Sequence, residues 1–274
     1  MLRSKVIDDL NAPELAPYRT LRQMEEHRAK GIFVAQGEKV VQTLLKSEFK
    51  VISMITSEEW LDRVRPLLEA RGEIVDAFIG SKKVLMELTG HSMYQPILAI
   101  GRIPRQPTIE SMLMSLPRPY LLAALDGLSN AENIGATVRN AAAMGIQGLI
   151  IGETSCSPWL RRAVRTSMGG ILSLPCVHVE DLSLTLRNLR EQGIETVACH
   201  PRPDGVQLDD VDFSKDSCIV LGSEGLGISE KVLESCSVFS AIPIRRQIDS
   251  LNVANAAAIY FYEAQRQRGY RMPD

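Results

Sequence analysis

Between residues 120 and 242 the chain carries six short apolar runs that show no polar alternation: Tyr120–Leu125, Gly148–Ile151, Cys176–Val179, Thr196–Cys199, Cys218–Leu221 and Phe239–Ile242. A strand with one wet face alternates apolar and polar residues; a strand covered on both faces does not. Helix-like segments interleave with the runs, at Glu132–Met144, Pro158–Thr166, Leu182–Gln192, Ser229–Ser235 and Leu251–Arg268. This pattern predicts a parallel sheet with helices on both faces, an α/β/α domain.

In such sheets ligands bind outside the carboxyl ends of the strands. Three polar islands stand at strand-to-helix junctions of this kind. They are Asn133-Ile134-Gly135-Ala136-Thr137-Val138-Arg139, Leu221-Gly222-Ser223-Glu224-Gly225-Leu226-Gly227, and Ser250-Leu251-Asn252-Val253. Their placement predicts one shared site.

Each island also has a plainer reading. Glycines at 222, 225 and 227 allow a sharp turn, and equally a close ligand approach. Glu224 in the middle of that turn has no packing role. Asn133 and Arg139 sit at a helix start and read as facing the same way, although a solvated arginine fits that position too. The helix around Arg139 is small and apolar, which predicts a buried element whose arginine needs a partner. Ser250 reads as a helix cap. Asn252 and Asn255 read as lying inside the Ala-rich last helix, where a buried amide requires partners.

Upstream, strand and helix signals alternate as well. A helix is predicted over 14–29, a strand over 32–35, a helix over 38–46, a strand over 51–55 and a helix over 57–70, with further strands at 74–79 and 97–100. This is a second, smaller α/β domain. Four prolines (Pro104, Pro107, Pro117 and Pro119) mark the segment between the two, with room for a short helix over 108–115. The expected division is 1–105, a linker over 106–119, and 120–274.

Composition excludes several classes. At 274 residues and 45% hydrophobic content the chain can build two cores. The formal net charge of -2 gives no global signal for nucleic acid. Residues 1–105 hold 16 Lys and Arg against 14 Asp and Glu, and the remainder 15 against 19. That tilt turns the N-terminal part toward a polyanion, though ordinary surface variation accounts for it equally well. Five cysteines without a CxxC pair argue against a disulfide framework and against zinc. Four scattered histidines, His27, His91, His178 and His200, lack metal spacing, so no metal is expected. Apolar stretches stay far below the roughly 18 residues of a membrane span, and acidic residues interrupt the N-terminus before any leader-like apolar core. The expectation is a cytoplasmic protein.

Asn133-x-Gly135-x-x-x-Arg139, Gly222-Ser223-Glu224-Gly225-x-Gly227 and Ile242-Pro243-Ile244 with Ser250-Leu251-Asn252-Val253, in that order, resemble the SpoU (TrmH-like) branch of the SPOUT RNA methyltransferases. The resemblance covers residues 120–268. More weakly, residues 32–103, including Gln36-Gly37-Glu38-Lys39-Val40-Val41, look like that family's L30e-like RNA-binding domain. The resemblance implies a deep trefoil knot in the C-terminal domain, an exception to the rule that chains do not thread loops. It also implies a homodimer, S-adenosylmethionine as methyl donor, and a ribose 2′-hydroxyl of ribosomal or transfer RNA as acceptor. By motif position Gly222, Ile242 and Leu251 would contact the cofactor, and Asn133, Arg139, Glu224, Ser250 and Asn252 would form the reactive centre.

Two departures from the family pattern stand out. Asn255 occupies a place usually held by a small apolar residue. His91-Ser92-Met93-Tyr94-Gln95-Pro96 replaces a Pro-Gln-Gly turn. Arg161-Arg162-Ala163-Val164-Arg165 reads either as a phosphate-binding patch or as a solvated helix face.

Other functions predict other features. A non-catalytic RNA-binding protein on the same fold would lose Arg139 or the Ser250/Asn252 pair, and this chain keeps them. A nicotinamide-dependent oxidoreductase needs G-x-G-x-x-G after the first strand, and the turn Asp126-Gly127-Leu128-Ser129 lacks it.

Overall fold

A computed structural model describes residues 2–90, 92, 94–245 and 250–270. Contacts divide the chain into two compact units. One comprises Met1–Arg105 with Trp159–Leu172, the other Gln106–Pro158 with Ser173–Asp274.

The first unit runs β1 Leu2–Val6, α1 Ala16–Arg19, α2 Met24–Ala29, β2 Ile32–Gln36, α3 Glu38–Lys46, β3 Val51–Thr56, α4 Glu58–Glu69, β4 Val75–Ile79, α5 Lys82–Thr89 and β5 Ile97–Arg102. Its mixed sheet has the order β1-β4-β3-β5-β2, with β5 antiparallel to both neighbours. Three features depart from the sequence expectation. The helix over 14–29 is broken between α1 and α2, where the Thr20 hydroxyl donates to the Ala16 carbonyl at 3.0 Å, a local bond of the kind that competes with helix continuation. Strand β1 gave no periodic signal because it is an edge strand with an exposed Arg-Ser-Lys centre. Helix α5 lies in the gap left between two predicted strands, capped by Ser81 and closed by Gly90 at φ 66°.

The second unit begins with α6 Ile109–Ser115, inside the stretch read as linker, and continues with β6 Leu121–Asp126, α7 Ala131–Ala143 and β7 Gly148–Ile151. Next in the chain comes α8 Arg161–Thr166, which belongs to the first unit although the sequence groups it with the second. The second unit resumes with β8 Cys176–His178, α9 Leu182–Glu191, β9 Glu195–Cys199, β10 Val206–Gln207, β11 Ser217–Gly222, α10 Glu230–Leu233, β12 Val238–Ala241 and α11 Val253–Gln267. Sheet order is β10-β12-β9-β11-β6-β7-β8, and every pairing is parallel. All six residues of β6 are buried, as its unbroken apolar run requires. Each fully buried leucine there, such as Leu122, stabilises the unit by about 1.5–3 kcal/mol.

Arg268, at the end of α11, ties this unit together. Its guanidinium donates to the carbonyls of Pro119, Tyr120, Phe213 and Lys215 at 2.6–2.8 Å. The last helix is thereby fixed to the chain entering both central strands, β6 and β11. Among the described residues, no helix is long and apolar enough to cross a membrane.

Candidate functional site

The carboxyl ends of β9, β11 and β12 open onto one cavity of about 710 Å³, within the size range of small-molecule sites. Its wall is built from Cys199–Pro201 after β9, Gly222–Ile228 after β11, Ala241, Ile242 and Ile244 after β12, and Ser250, Leu251 and Val253 at the entry to α11. Buried Tyr260 of α11 also lines it and donates to the Ser240 carbonyl at 2.6 Å.

The loop after β11 closes on itself. Ser223 and Gly227 exchange backbone hydrogen bonds of 2.9 Å in both directions, and Gly227 takes φ +71°. A Cβ on Gly222 would stand 2.2 Å from the Gly227 carbonyl carbon and 2.3 Å from the Ile228 nitrogen. Only glycine fits there, because the returning backbone fills the space a side chain needs. Directly beyond, the buried Asp126 carboxylate at the end of β6 accepts the Ser229 N–H at 2.7 Å and anchors the loop's exit.

Asn252 is the N-cap of α11, its side-chain oxygen accepting the Ala254 N–H at 3.0 Å. Ser250, the cap expected from sequence, stands two residues earlier, because the chain is still non-helical through Leu251; asparagine caps about as well as serine. The same Asn252 amide donates to the Glu224 carboxylate and to the Asn133 side-chain oxygen, the latter at 3.2 Å. One side chain thus starts the helix and joins two of the three polar islands to the third. Asn140, a turn and more along α7, donates to the Ala254 carbonyl at 2.7 Å and holds α7 against α11.

The eight candidate residues divide accordingly. Gly222, Ile242, Leu251, Glu224 and Ser250 line the cavity, while Asn133 and Asn252 form the hydrogen-bonded triad with Glu224. Arg139 is apart. It is exposed on α7, does not line the cavity, and has no hydrogen-bond or ion-pair partner among the described residues. Six helical residues turn the chain through about 600°, so Arg139 points about 120° away from Asn133 rather than alongside it. The buried face of α7 is instead Ile134, Gly135, Thr137, Val138 and Ala141. Asn255 is also exposed, so its amide meets water and makes no demand on the core.

Sequence reasoning missed Asp126, Asn140 and Tyr260, since a buried carboxylate, a mid-helix asparagine and a core tyrosine carry no motif. His91 and Met93 lie outside the described residues, but Gln95 of that segment accepts the Glu38 N–H at 2.9 Å within the first unit. The five cysteines are free, and burial pushes the thiols of Cys218 and Cys236 upward, Cys236 to about 12, so neither is a nucleophile at neutral pH. Among the described residues, no cluster of three His, Cys, Asp or Glu is placed to hold a metal.

Comparison with known proteins gives this site a family. Residues 120–262 match the model of the SpoU rRNA Methylase family. A 23S rRNA (guanosine-2′-O-)-methyltransferase of Shewanella oneidensis is 30% identical over 85% of this chain and 96% of its own length. A Mycobacterium bovis protein described as an uncharacterized tRNA/rRNA methyltransferase is 29% identical over 94% of this chain and 90% of its own. The structure is similar to that of an AdoMet-bound rRNA methyltransferase from Sinorhizobium meliloti, with a TM-score of 0.82 and 25% identity over 96% of this chain and 98% of the other. The matched stretch contains all three polar islands and the cavity that two of them line, and on these grounds the chain belongs to the SpoU rRNA methylase family.

Proposed function

We propose that this protein transfers a methyl group from S-adenosylmethionine to a ribose 2′-hydroxyl in ribosomal or transfer RNA. The observation that carries the reading is the Asn133–Asn252–Glu224 triad at the rim of the cavity floored by Gly222.

The residues present suit S-adenosylmethionine. Leu226, Ile244 and Leu251 are 95%, 39% and 36% exposed around the cavity, apolar surface that an adenine-bearing ligand would cover. Gly222 lets the loop after β11 fold back on itself and close one wall of the cavity. Gly222, Ile242 and Leu251 are the residues that hold the cofactor. When bound, S-adenosylmethionine supplies an electrophilic methyl carbon.

The chain's own residues do the rest. A ribose hydroxyl is a weak nucleophile, and rate is gained by holding it in line with its target. Asn252 fixes the Glu224 carboxylate, and Ser250 adds a hydroxyl on the same rim; together with Asn133 they orient the sugar. The Arg139 guanidinium carries donors only, set in a planar fork. It therefore acts as a clamp on the adjacent phosphate and as a fixed positive charge beside the developing alkoxide. Its exposure and lack of a partner support that role, since it is free to meet substrate. The 2′-hydroxyl itself distinguishes RNA from DNA.

The wider reading has its own supports. Loops after β9, β11 and β12 line one cavity with the start of α11, an arrangement consistent with a deep trefoil knot in the C-terminal domain. Ile259 and Tyr262 on α11 are exposed, which supports a homodimer. The mixed sheet of the first unit supports an L30e-like RNA-binding domain over 1–105, joined by 159–172, and the second unit, which already includes α6, is the methyltransferase domain. Cytoplasm, where the RNA is available, is the expected location.

Tritium transfer from S-adenosyl-[methyl-3H]methionine to ribosomal and transfer RNA tests the reading, with product scored as alkali-resistant dinucleotide. Label in the ribose fraction is the expected result. No label in either RNA, together with no calorimetric heat on adding S-adenosylmethionine, would overturn it.

A further inference from the structure

Seven arginines outside the candidate site are neutralised by a carboxylate. Arg3, Arg63, Arg65, Arg71, Arg118, Arg202 and Arg266 each pair with a carboxylate. Others in the first unit are not, and four of these belong together. Arg22, Arg161, Arg162 and Arg165 have no ion-pair partner among the described residues, and three of them come from the short helix α8. The Arg161 guanidinium is held by a neutral acceptor, donating from Nη1 to the Gln36 side-chain oxygen at 2.7 Å, while its buried Nε has no partner among the described residues. Its proton affinity is lowered by burial first, and then by the charges of Arg162, Arg165 and Arg22. The charges of Arg162, Arg165 and Arg22 thus reach the half-buried Arg161.

A self-repelling group of cations on a loose loop would simply splay into water. This one is mounted rigidly. Trp159, just before α8, packs against Phe33 of β2 and against Phe49, with ring centroids 5.1 and 5.6 Å apart. Just after α8, Gly169 takes φ +87°, and a Cβ there would meet Thr43 at 3.0 Å. Both ends of the segment are thus seated in the first unit, and α8 itself lies against β2. Arg162 and Arg165 project into solvent from that base.

A fixed, uncompensated positive cluster costs stability in the free protein and gains when an anion binds. We propose that Arg22, Arg161, Arg162 and Arg165 form a docking site for the phosphate backbone of the substrate RNA, carried by the first unit and completed by the 159–172 segment. The inference rests on the RNA-methyltransferase reading for the identity of the polyanion. Several adjacent guanidinium groups suit successive phosphates of a chain better than a single phosphate. Arginine offers paired donors to each, and such contacts position the substrate without reading its sequence.

The test uses the full chain and deproteinised 23S ribosomal RNA in a filter-binding titration over a series of KCl concentrations. Arg162→Ala with Arg165→Ala removes two exposed side chains that make no hydrogen bond or ion pair among the described residues, and Arg162→Lys with Arg165→Lys keeps the charge. The alanine pair is expected to weaken RNA binding about tenfold or more and to reduce the salt slope by about one to two, with the lysine pair retaining most of that slope. Calorimetric affinity for S-adenosylmethionine should be unchanged in both. RNA binding within twofold of wild type at an unchanged slope would overturn the proposal. So would loss of binding to phosphatidylglycerol vesicles with RNA binding intact. A wild-type protein that neither binds S-adenosylmethionine nor methylates RNA, yet loses RNA affinity in the alanine pair, would overturn the methyltransferase reading and leave this site standing.

Discussion

Asn252 donates its side-chain amide to the Glu224 carboxylate while its side-chain oxygen caps α11 through the Ala254 N–H. Helix initiation and the geometry of the candidate site are therefore set by one residue, and substitutions there separate into two kinds.

Asn252→Asp keeps a capping oxygen but sets a second carboxylate against Glu224. Its melting temperature should stay close to wild type, while methyl transfer falls by two orders of magnitude or more, the size of effect expected when a positioning contact is lost. Asn252→Ala removes the cap as well and should cost about 1 kcal/mol in urea unfolding. If Asn252→Asp turns over normally, the triad has no part in the reaction.

Gly222→Ala forces a methyl group onto the backbone of Gly227 and Ile228, which cannot move aside as a flexible side chain would. The loop must open. Calorimetry should show loss of S-adenosylmethionine binding, and unfolding should show a stability loss of about 1–3 kcal/mol or more.

Arg139→Ala is expected to abolish methylation and to leave S-adenosylmethionine affinity near wild type, because Arg139 does not line the cavity. Arg139→Lys keeps charge but not the paired donor geometry and should recover only part of the activity. Near-normal turnover in Arg139→Ala would remove it from the reactive centre.

Asp181 provides a pH test. The Lys231 ammonium first, then the Leu184 N–H and the Ser183 hydroxyl, hold its carboxyl well below the ordinary carboxylate range. A carboxyl whose folded pKa lies below its unfolded value stabilises the fold above about pH 4, and that contribution is lost as pH falls toward the folded value. Asp181→Asn preserves the cap of α9 and removes the charge. It should melt below wild type at pH 7, with the gap closing under acid; a gap that stays constant with pH would contradict the assignment.

Arg268→Ala strips a charged donor from four carbonyls at once. A loss of roughly 2–4 kcal/mol in denaturant unfolding is expected. Lysine, with a single point of contact, should restore only a fraction.

The sheet of the second unit was legible because its strands are buried on both faces, so Leu121–Leu125 or Ile219–Leu221 leave an apolar run that needs no partner to be recognised. Edge strands left no such mark: β1 and the two-residue β10 are held by a neighbour's backbone, and backbone pairing is silent in composition. The cavity residues Gly222, Glu224, Ile242, Ser250 and Leu251 were legible through motif order. Asp126 and Asn140 were not, because their partners are backbone groups roughly a hundred residues away.

By itself, then, the sequence determined the layered α/β architecture and the three polar islands, since burial on two faces and glycine at tight turns constrain residue type locally. Only the tertiary structure decided that Asn252 rather than Ser250 caps the last helix, that Arg139 stands exposed on α7 instead of buried in it, and that Trp159–Leu172 packs with the first unit. Those outcomes depend on which distant surfaces meet, and a hydrogen bond or a ring contact across more than a hundred residues has no counterpart in local pattern.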